Sequence, residues 1–285
     1  MSFGAYIISF ADNDPEKRAA RFEVHNTQLD EWLANTDINI HVVAMNYQPG
    51  DHHPDPRVIY HDTAPRKCSA ARHEAFRLFY ASDYDWGVIM DNDAMLYHSP
   101  QHNSAYKIIE EMQDHLQDYK ELGIFFPINP AKSPFTDLLA DHAHQTRHVF
   151  RRNMDLKGSL MFVKNFVKQG LPAPYPDPEF DWCEDGKLAL DTVALGHTVM
   201  VCENLVLKEM GLSSSSFATA EVDRKPFMQE ANRRIVEKFN DPLLTMKSGE
   251  SHLLDSKKWV RREWAGRPES LSRLKRPEPN DMFEW

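Results

Sequence analysis

Cysteine is scarce in this 285-residue chain: Cys68, Cys183 and Cys202 stand far apart, and no C-x-x-C pair occurs. An odd, dispersed set excludes a disulfide framework and a thiolate zinc site, so the three read as small buried apolar residues. Long apolar runs are missing too, and no window approaches the roughly 18 consecutive apolar residues of a membrane span. The opening Met-Ser-Phe-Gly-Ala-Tyr lacks the basic n-region of a secretory signal, which points to the cytoplasm. Net positive charge is absent: the formal charge is −10 and the pI near 5.8, which argues against a protein whose whole purpose is to coat nucleic acid. A local basic surface stays open. No internal repeat is visible. What is present is an ordinary globular composition, 41% apolar, enough to fill one large α/β domain or two small ones.

Ala5 to Ala11 is short, β-branched and aromatic, and it meets Asp12-Asn13-Asp14-Pro15, the pattern of a buried strand ending in a turn. Residues 15–33 carry apolar side chains at helical spacing, with Asp14 placed as N-cap and Pro15 at the first helical position. Strands are expected at Ile38 to Met45 and Val58 to Tyr60, separated by a Pro-, Asp- and His-rich loop. A helix capped by Ser69 and running to Ser82 leads into Trp86-Gly87-Val88-Ile89-Met90. This alternation predicts a doubly wound, mostly parallel sheet flanked by helices, with its ligand-binding loops along one edge. Ser9, Phe10 and Ala11 fall on that edge. Further on, a helix is expected over Lys107 to Leu122 and strands at Gly123 to Phe126 and Gly158 to Val163. Pro172 to Pro178 reads as a connector, Asp185 to Leu195 as a helix ended by Gly196, and Thr198 to Leu207 as a strand. From about Phe217 polar helices take over, which divides the chain into a body, 1–215, and a helical, basic C-terminal extension, 216–285.

The segment richest in chemistry is Asp91-Asn92-Asp93, two acids one residue apart where an apolar strand leaves the core. Carboxylates so placed can meet around one hard cation, Mg²⁺ or Mn²⁺, which also bridges phosphates. An Asx turn that merely stops the strand is the plainer account. About ninety residues further on, Glu184 and Asp185 open a helix, where acids favourably meet the dipole and Asp185 can serve as cap.

Ala70-Ala71-Arg72-His73 followed by an apolar strand and Asp91-Asn92-Asp93 resembles the nucleotide-sugar half of the GT-A-fold glycosyltransferases, across roughly residues 3 to 210. The resemblance implies a divalent metal, Mn²⁺ or Mg²⁺, and a nucleotide-sugar donor of the UDP type. Asp91 would lie near the ribose or metal, Asp93 on the metal that bridges the diphosphate, and Arg72 and Asn92 beside the donor. Gly158-Ser159 matches the glycine-containing strand that lines the sugar site. Trp182-Cys183-Glu184-Asp185 looks like the segment where inverting members keep their general base, Asp185 first and Glu184 second. Retaining members lack that base. GT-A enzymes often complete the metal site with a late histidine, for which His252 in the loop Lys247 to His252 is the candidate.

Lys257, Lys258, Arg261, Arg262, Arg267, Arg273, Lys275 and Arg276 face only Glu263 and Glu269 in the tail, interleaved with Trp259 and Trp264. Cations with aromatic neighbours suit phosphate contact and base stacking, although a solvated helix face, with the tryptophans docking it to the body, explains the same run. Arg147, Arg151, Arg152 and Lys157 form a second basic group where an acceptor would enter. Compact size, absence of a membrane anchor and the segment Asn232 to Asn240 resemble the phage glycosyltransferases that decorate hydroxymethylated bases in DNA. That resemblance implies DNA carrying hydroxymethylated pyrimidines as partner, met in the host cytoplasm. Transfer to a glycan, lipid precursor or protein competes with it. A sugar-phosphate nucleotidyltransferase is disfavoured, since the loop Asp12 to Pro15 holds no glycine. A hydrolase or nuclease would hold two ions on Asp91, Asp93 and Asp185, and a binding module would use the acids only as turns.

Overall fold

The computed structural model describes residues 2–64, 67–98, 116, 122–128, 150–152, 156, 158–180, 182–210, 223–250 and 252–265. The chain starts as expected. Strand β1 (Phe3–Phe10) leads into helix α1 (Pro15–Asn35), whose cap is Asp14: its carboxylate accepts the Glu16 and Lys17 amides at 3.0 and 3.2 Å. Then follow β2 (Ile40–Met45), a single 3₁₀ turn (Pro49–Asp51), β3 (Val58–Thr63), α2 (Cys68–Tyr80) and β4 (Trp86–Asp91). Strands β5 (Ala94–His98), β6 (Leu122–Ile128), β7 (Phe150–Arg152) and β8 (Leu160–Lys164) come next, then α3 (Glu184–Ala194) and β9 (Thr198–Glu209). Helix α4 (Lys225–Phe239), the small hairpin β10 (Thr245–Met246) and β11 (Leu254–Asp255), and α5 (Lys257–Ala265) close the described chain. The expected helix over Lys107 to Leu122 lies outside the described residues except for helical Leu116 and for Leu122, which instead opens β6.

Eight strands lie in the order β3-β2-β1-β4-β8-β6-β9-β5, and β7 pairs with β9 beside β5. The first four strands are parallel, as predicted; beyond them the sheet is mixed, because β8 runs antiparallel to both β4 and β6, and β5 and β7 run antiparallel to β9. Apolar content reveals a buried strand but not its direction. Burial on both faces follows the two-residue period of the pleat. Phe3, Ala5 and Ile7 of β1 face α1 and pack with Leu29 and Trp32, whereas Tyr6 and Ile8 face α2 and pack with Phe76 and Phe79. Ala231 and Ile235 of α4 and Trp259 and Val260 of α5 join that second core.

Two histidines inside this frame set an acid limit. Burial pushes His25 on α1 down to about 4, with His53 adding to the effect, and burial likewise lowers His41 on β2 to about 4, helped by His61. A histidine kept neutral in the fold leaves the unfolded chain binding more protons below pH 6.5, so stability present above that pH is lost as pH falls toward 4. For His25 the loss amounts to about 3 kcal/mol across the window. Urea midpoints at pH 7 and pH 5 check this: wild type is expected to weaken clearly at pH 5, and His25→Phe to show a shallower fall.

Candidate functional site

Four segments meet at the carboxyl edge of the parallel strands: the ends of β1 and β4, the start of β8 and the start of α3. The antiparallel course of β8 puts its first residues beside the last of β4, and the Asp91 amide donates to the Ser159 carbonyl at 2.9 Å. Gly158 and Ser159 therefore flank Asp91. Between β4 and β5 the chain turns at Asn92-Asp93, both buried, while the Asp91 side chain keeps 28% exposure.

Arg72 ties this turn to α3. It lies on the buried face of α2 with Ser69, Phe76 and Phe79, and it is 3% exposed. Its Nη2 donates to Asp91 Oδ1 at 3.0 Å and its Nη1 to Glu184 Oε1, so one guanidinium joins the two acidic motifs. Burial alone would lower its pKa; the nearby Cys68 thiol and the Asp91, Glu184 and Asp185 carboxylates override that and hold it well above the ordinary value. Burial in turn raises Glu184, with Arg72 opposing and Asp185 reinforcing the rise. Glycine at 158 is a condition of this arrangement. A Cβ there would stand 2.7 Å from Nη1, in the space the guanidinium occupies.

The approach to α3 is fixed by a strap that the sequence presented only as a connector. Along Pro172 to Pro178, prolines offer carbonyls but no amide hydrogens, and α2 supplies the donors. Tyr80 Oη donates to the Pro174 carbonyl at 3.0 Å and Ser69 Oγ to that of Pro178 at 3.4 Å, while His73 Nδ1 lies 2.8 Å from the Pro176 carbonyl. Ser69, His73 and Tyr80 share one helix face, and alternate carbonyls of the extended strap face it. The helix begins at Cys68, one residue before the expected Ser69 cap, and the Ser69 hydroxyl reaches the strap. Helix α3 likewise begins at Glu184, and its N-cap is Cys183, held at φ 61°. Asp185 is therefore not the cap; its Oδ1 accepts the Gly186 amide at 2.8 Å.

Other expected site residues are placed differently. Ser9 is buried and its hydroxyl receives the Asn92 side-chain amide at 2.9 Å and lies 2.6 Å from Tyr47 Oη. Ser9 and Asn92 thus hold the turn to β1 rather than presenting their polar groups outward. Phe10 and Ala11 follow at the end of β1, where Asn46 donates to the Ala11 carbonyl at 2.7 Å. His252 sits in the β10–β11 hairpin, its carbonyl bonded by Asn232 at 2.9 Å. Among the described residues no three His, Cys, Asp or Glu side chains converge as a cation site. Lys257 and Lys258 are exposed at the start of α5, but Trp259 is 3% exposed with its ring edge-on to Phe239 at 5.6 Å. That tryptophan docks the helix and is unavailable for stacking on a base. Arg151 and Arg152 fall on β7; Arg147 and Lys157, and the tail from Arg267 onward, lie outside the described residues.

No protein-family model and no curated protein sequence matches this chain. Solved structures do. The mannosyltransferase PcManGT from Pyrobaculum calidifontis, in complex with GDP-Man and Mn²⁺, superposes with a TM-score of 0.55 at 14% identity, over 96% of this chain and 72% of that one. GalNAc-T7, in complex with UDP, GalNAc and Mn²⁺, gives a TM-score of 0.50 at 10% identity over 99% of this chain; the match spans 53%, about half, of that longer enzyme. At these identities the likeness is one of fold, and the α/β fold of this chain is that of the GT-A-like glycosyltransferases.

Proposed function

We propose that this chain is a metal-dependent glycosyltransferase that moves a sugar from a nucleotide sugar, of the UDP type, to a hydroxyl acceptor. The observation that carries the proposal is the buried Arg72 bridge, which sets the Asp91-Asn92-Asp93 turn and the α3 acid pair at one edge of the sheet. Both structural neighbours were solved with a nucleotide or nucleotide sugar and Mn²⁺, which supports the same donor class here.

The residues fit a divalent cation of that kind. Mg²⁺ and Mn²⁺ are commonly held by one or two carboxylates plus substrate phosphates and water, so Asp91 and Asp93 suffice without a third protein ligand. Bound there, the cation neutralises charge on the departing diphosphate. The absence of a three-acid cluster among the described residues weighs against the two-ion hydrolase or nuclease. Asp185 is the proposed base: its carboxylate takes the acceptor proton as the hydroxyl oxygen attacks the anomeric carbon and the nucleoside diphosphate departs, an inverting displacement. Glu184, engaged by Arg72, holds position beside it.

The acceptor we put first is a hydroxymethylated pyrimidine in DNA, with a glycan or protein hydroxyl as the alternative. Exposed Lys257, Lys258 and Arg261 on α5 suit a phosphate backbone. Residues 1–215 form the proposed catalytic unit and 216–285 its packed extension. No helix among the described residues is long and apolar enough to cross a membrane, and the cytoplasm is the proposed location.

The test is turnover: nucleotide sugars with Mn²⁺ are offered hydroxymethylated DNA, glycans and peptides, and nucleoside diphosphate release and acceptor mass are read together. Sugar on one acceptor supports the proposal; no nucleoside diphosphate from any donor contradicts it. If DNA is the acceptor, Lys257→Glu with Lys258→Glu should weaken binding on all sequences alike and flatten the dependence of log K on log salt by about two.

A further inference from the structure

Gln28 occupies an unexpected place on α1. Its neighbours along the buried helix face are Arg21, His25, Leu29 and Trp32, and the Gln28 side chain is fully buried. Its Nε2 donates to the Asp91 carbonyl at 3.0 Å and to the Ala94 carbonyl at 2.5 Å, with Met90 Sδ at 3.3 Å. These two carbonyls bracket Asn92-Asp93. One amide nitrogen carries two hydrogens, and here both ends of the acidic turn receive one.

Side chains that carry this chemistry are few. A lysine or arginine would bring an unpaired charge into a dry interior, and a hydroxyl has a single hydrogen. The turn is fixed from its other side by the Asn92 amide, donating to the Ile8 carbonyl at 3.1 Å, and by the Met210 amide, donating to the Asp93 carbonyl at 2.9 Å. Against these backbone bonds, Gln28 acts across the turn from a different layer of the fold.

We infer that Gln28 is a positioning residue for the cation and diphosphate end of the donor, acting through the backbone of the Asp91-to-Ala94 turn without touching the ligand. The inference rests on the glycosyltransferase reading of that turn. A carboxylate pair that must share one cation tolerates little error in spacing, and groups that orient ligating side chains typically account for 10–100-fold in metal affinity.

The experiment compares wild type, Gln28→Met and Leu29→Ala. Methionine keeps the length and burial of glutamine and donates no hydrogen bond, whereas Leu29→Ala opens a cavity beside it on the same helix and removes no hydrogen bond to the turn. Binding of Mn²⁺ alone, and of Mn²⁺ with UDP or GDP, is measured by calorimetry at a temperature where circular dichroism shows each protein folded. Gln28→Met is expected to weaken Mn²⁺–nucleotide binding by about tenfold or more, and in turnover to raise KM for the donor more than it lowers kcat. Leu29→Ala is expected to lower Tm yet bind as wild type does. Equal binding by Gln28→Met and wild type would overturn the inference and leave the glycosyltransferase reading standing, and so would an equal loss in Leu29→Ala. Wild type that binds Mn²⁺ with neither nucleotide would overturn both. If Gln28→Met does not fold, Gln28→Asn, which keeps the amide but shortens its reach, is read in the same way.

Discussion

Arg72→Met will cost about 3–5 kcal/mol of stability, because it removes the cation from a buried cluster and leaves carboxylates behind. Asp91 and Glu184 both bond to the lost guanidinium, and Glu184 is held where burial already disfavours its charge. The damage should be specific to that charge. Adding Glu184→Gln to Arg72→Met removes one of the stranded carboxylates and is expected to recover part of the stability without restoring sugar transfer. Gly158→Val should act in the same direction from the other side, since its Cβ would enter the space of Nη1. Urea unfolding of the four proteins checks this. A loss below about 1 kcal/mol in Arg72→Met, the range of exposed ion pairs, would mean that water compensates these charges and that the bridge does not hold the site together.

Asp185→Asn is the second large effect, and it falls on rate rather than stability. General-base catalysis contributes on the order of 10²–10⁴-fold, and an amide cannot take the proton. Transfer should fall by that factor while Mn²⁺–nucleotide binding stays as in wild type, because Asp185 lies on α3 and the proposed cation ligands stand at the end of β4 and in the turn after it. Glu184→Gln should show the opposite balance, with a clear loss of stability and a smaller loss of rate once folded. If Asp185→Asn transfers sugar at the wild-type rate, the proposed base is wrong and the displacement does not run through this residue.

Much of the frame could be read from residues alone, because burial in a parallel sheet leaves a strong mark. The runs at Ala5, Val42 and Trp86 are short and mainly apolar, and the caps at Asp14 and Gly196 sit where their side-chain oxygen or absent Cβ demands. Strand direction left no such mark, so β8 between β4 and β6 had to come from the structure. In the site, carboxylates at a strand end stand out because they are costly there, and Asp91 and Asp93 were singled out for that reason, whereas Glu184, Arg72 and Gly158 were singled out by the GT-A resemblance. Their mutual arrangement was not legible, since Arg72 meets Glu184 across 112 positions of sequence. Gln28 and the Ser69, His73 and Tyr80 donors were missed altogether. A signal existed in α1: Arg21, His25 and Gln28 are polar groups on the stripe that Leu29 and Trp32 mark as buried, and a buried polar group needs a partner. At Trp259 two readings of the basic tail, stacking on a base or docking to the body, looked alike in sequence, and the core absorbs this ring.

The central claim is that the Asp91-to-Asp93 turn, joined through Arg72 to α3, binds a nucleotide sugar with a divalent cation. The most direct measurement is a thermal-shift panel of nucleotide sugars, with and without Mn²⁺, on wild type and Asp93→Ala, since a ligand that binds the folded state raises its apparent stability. One nucleotide sugar should raise the Tm of wild type, only when Mn²⁺ is present, and should leave Asp93→Ala unmoved. A folded wild type that no nucleotide sugar shifts, or an Asp93→Ala protein that shifts as wild type does, would contradict the account.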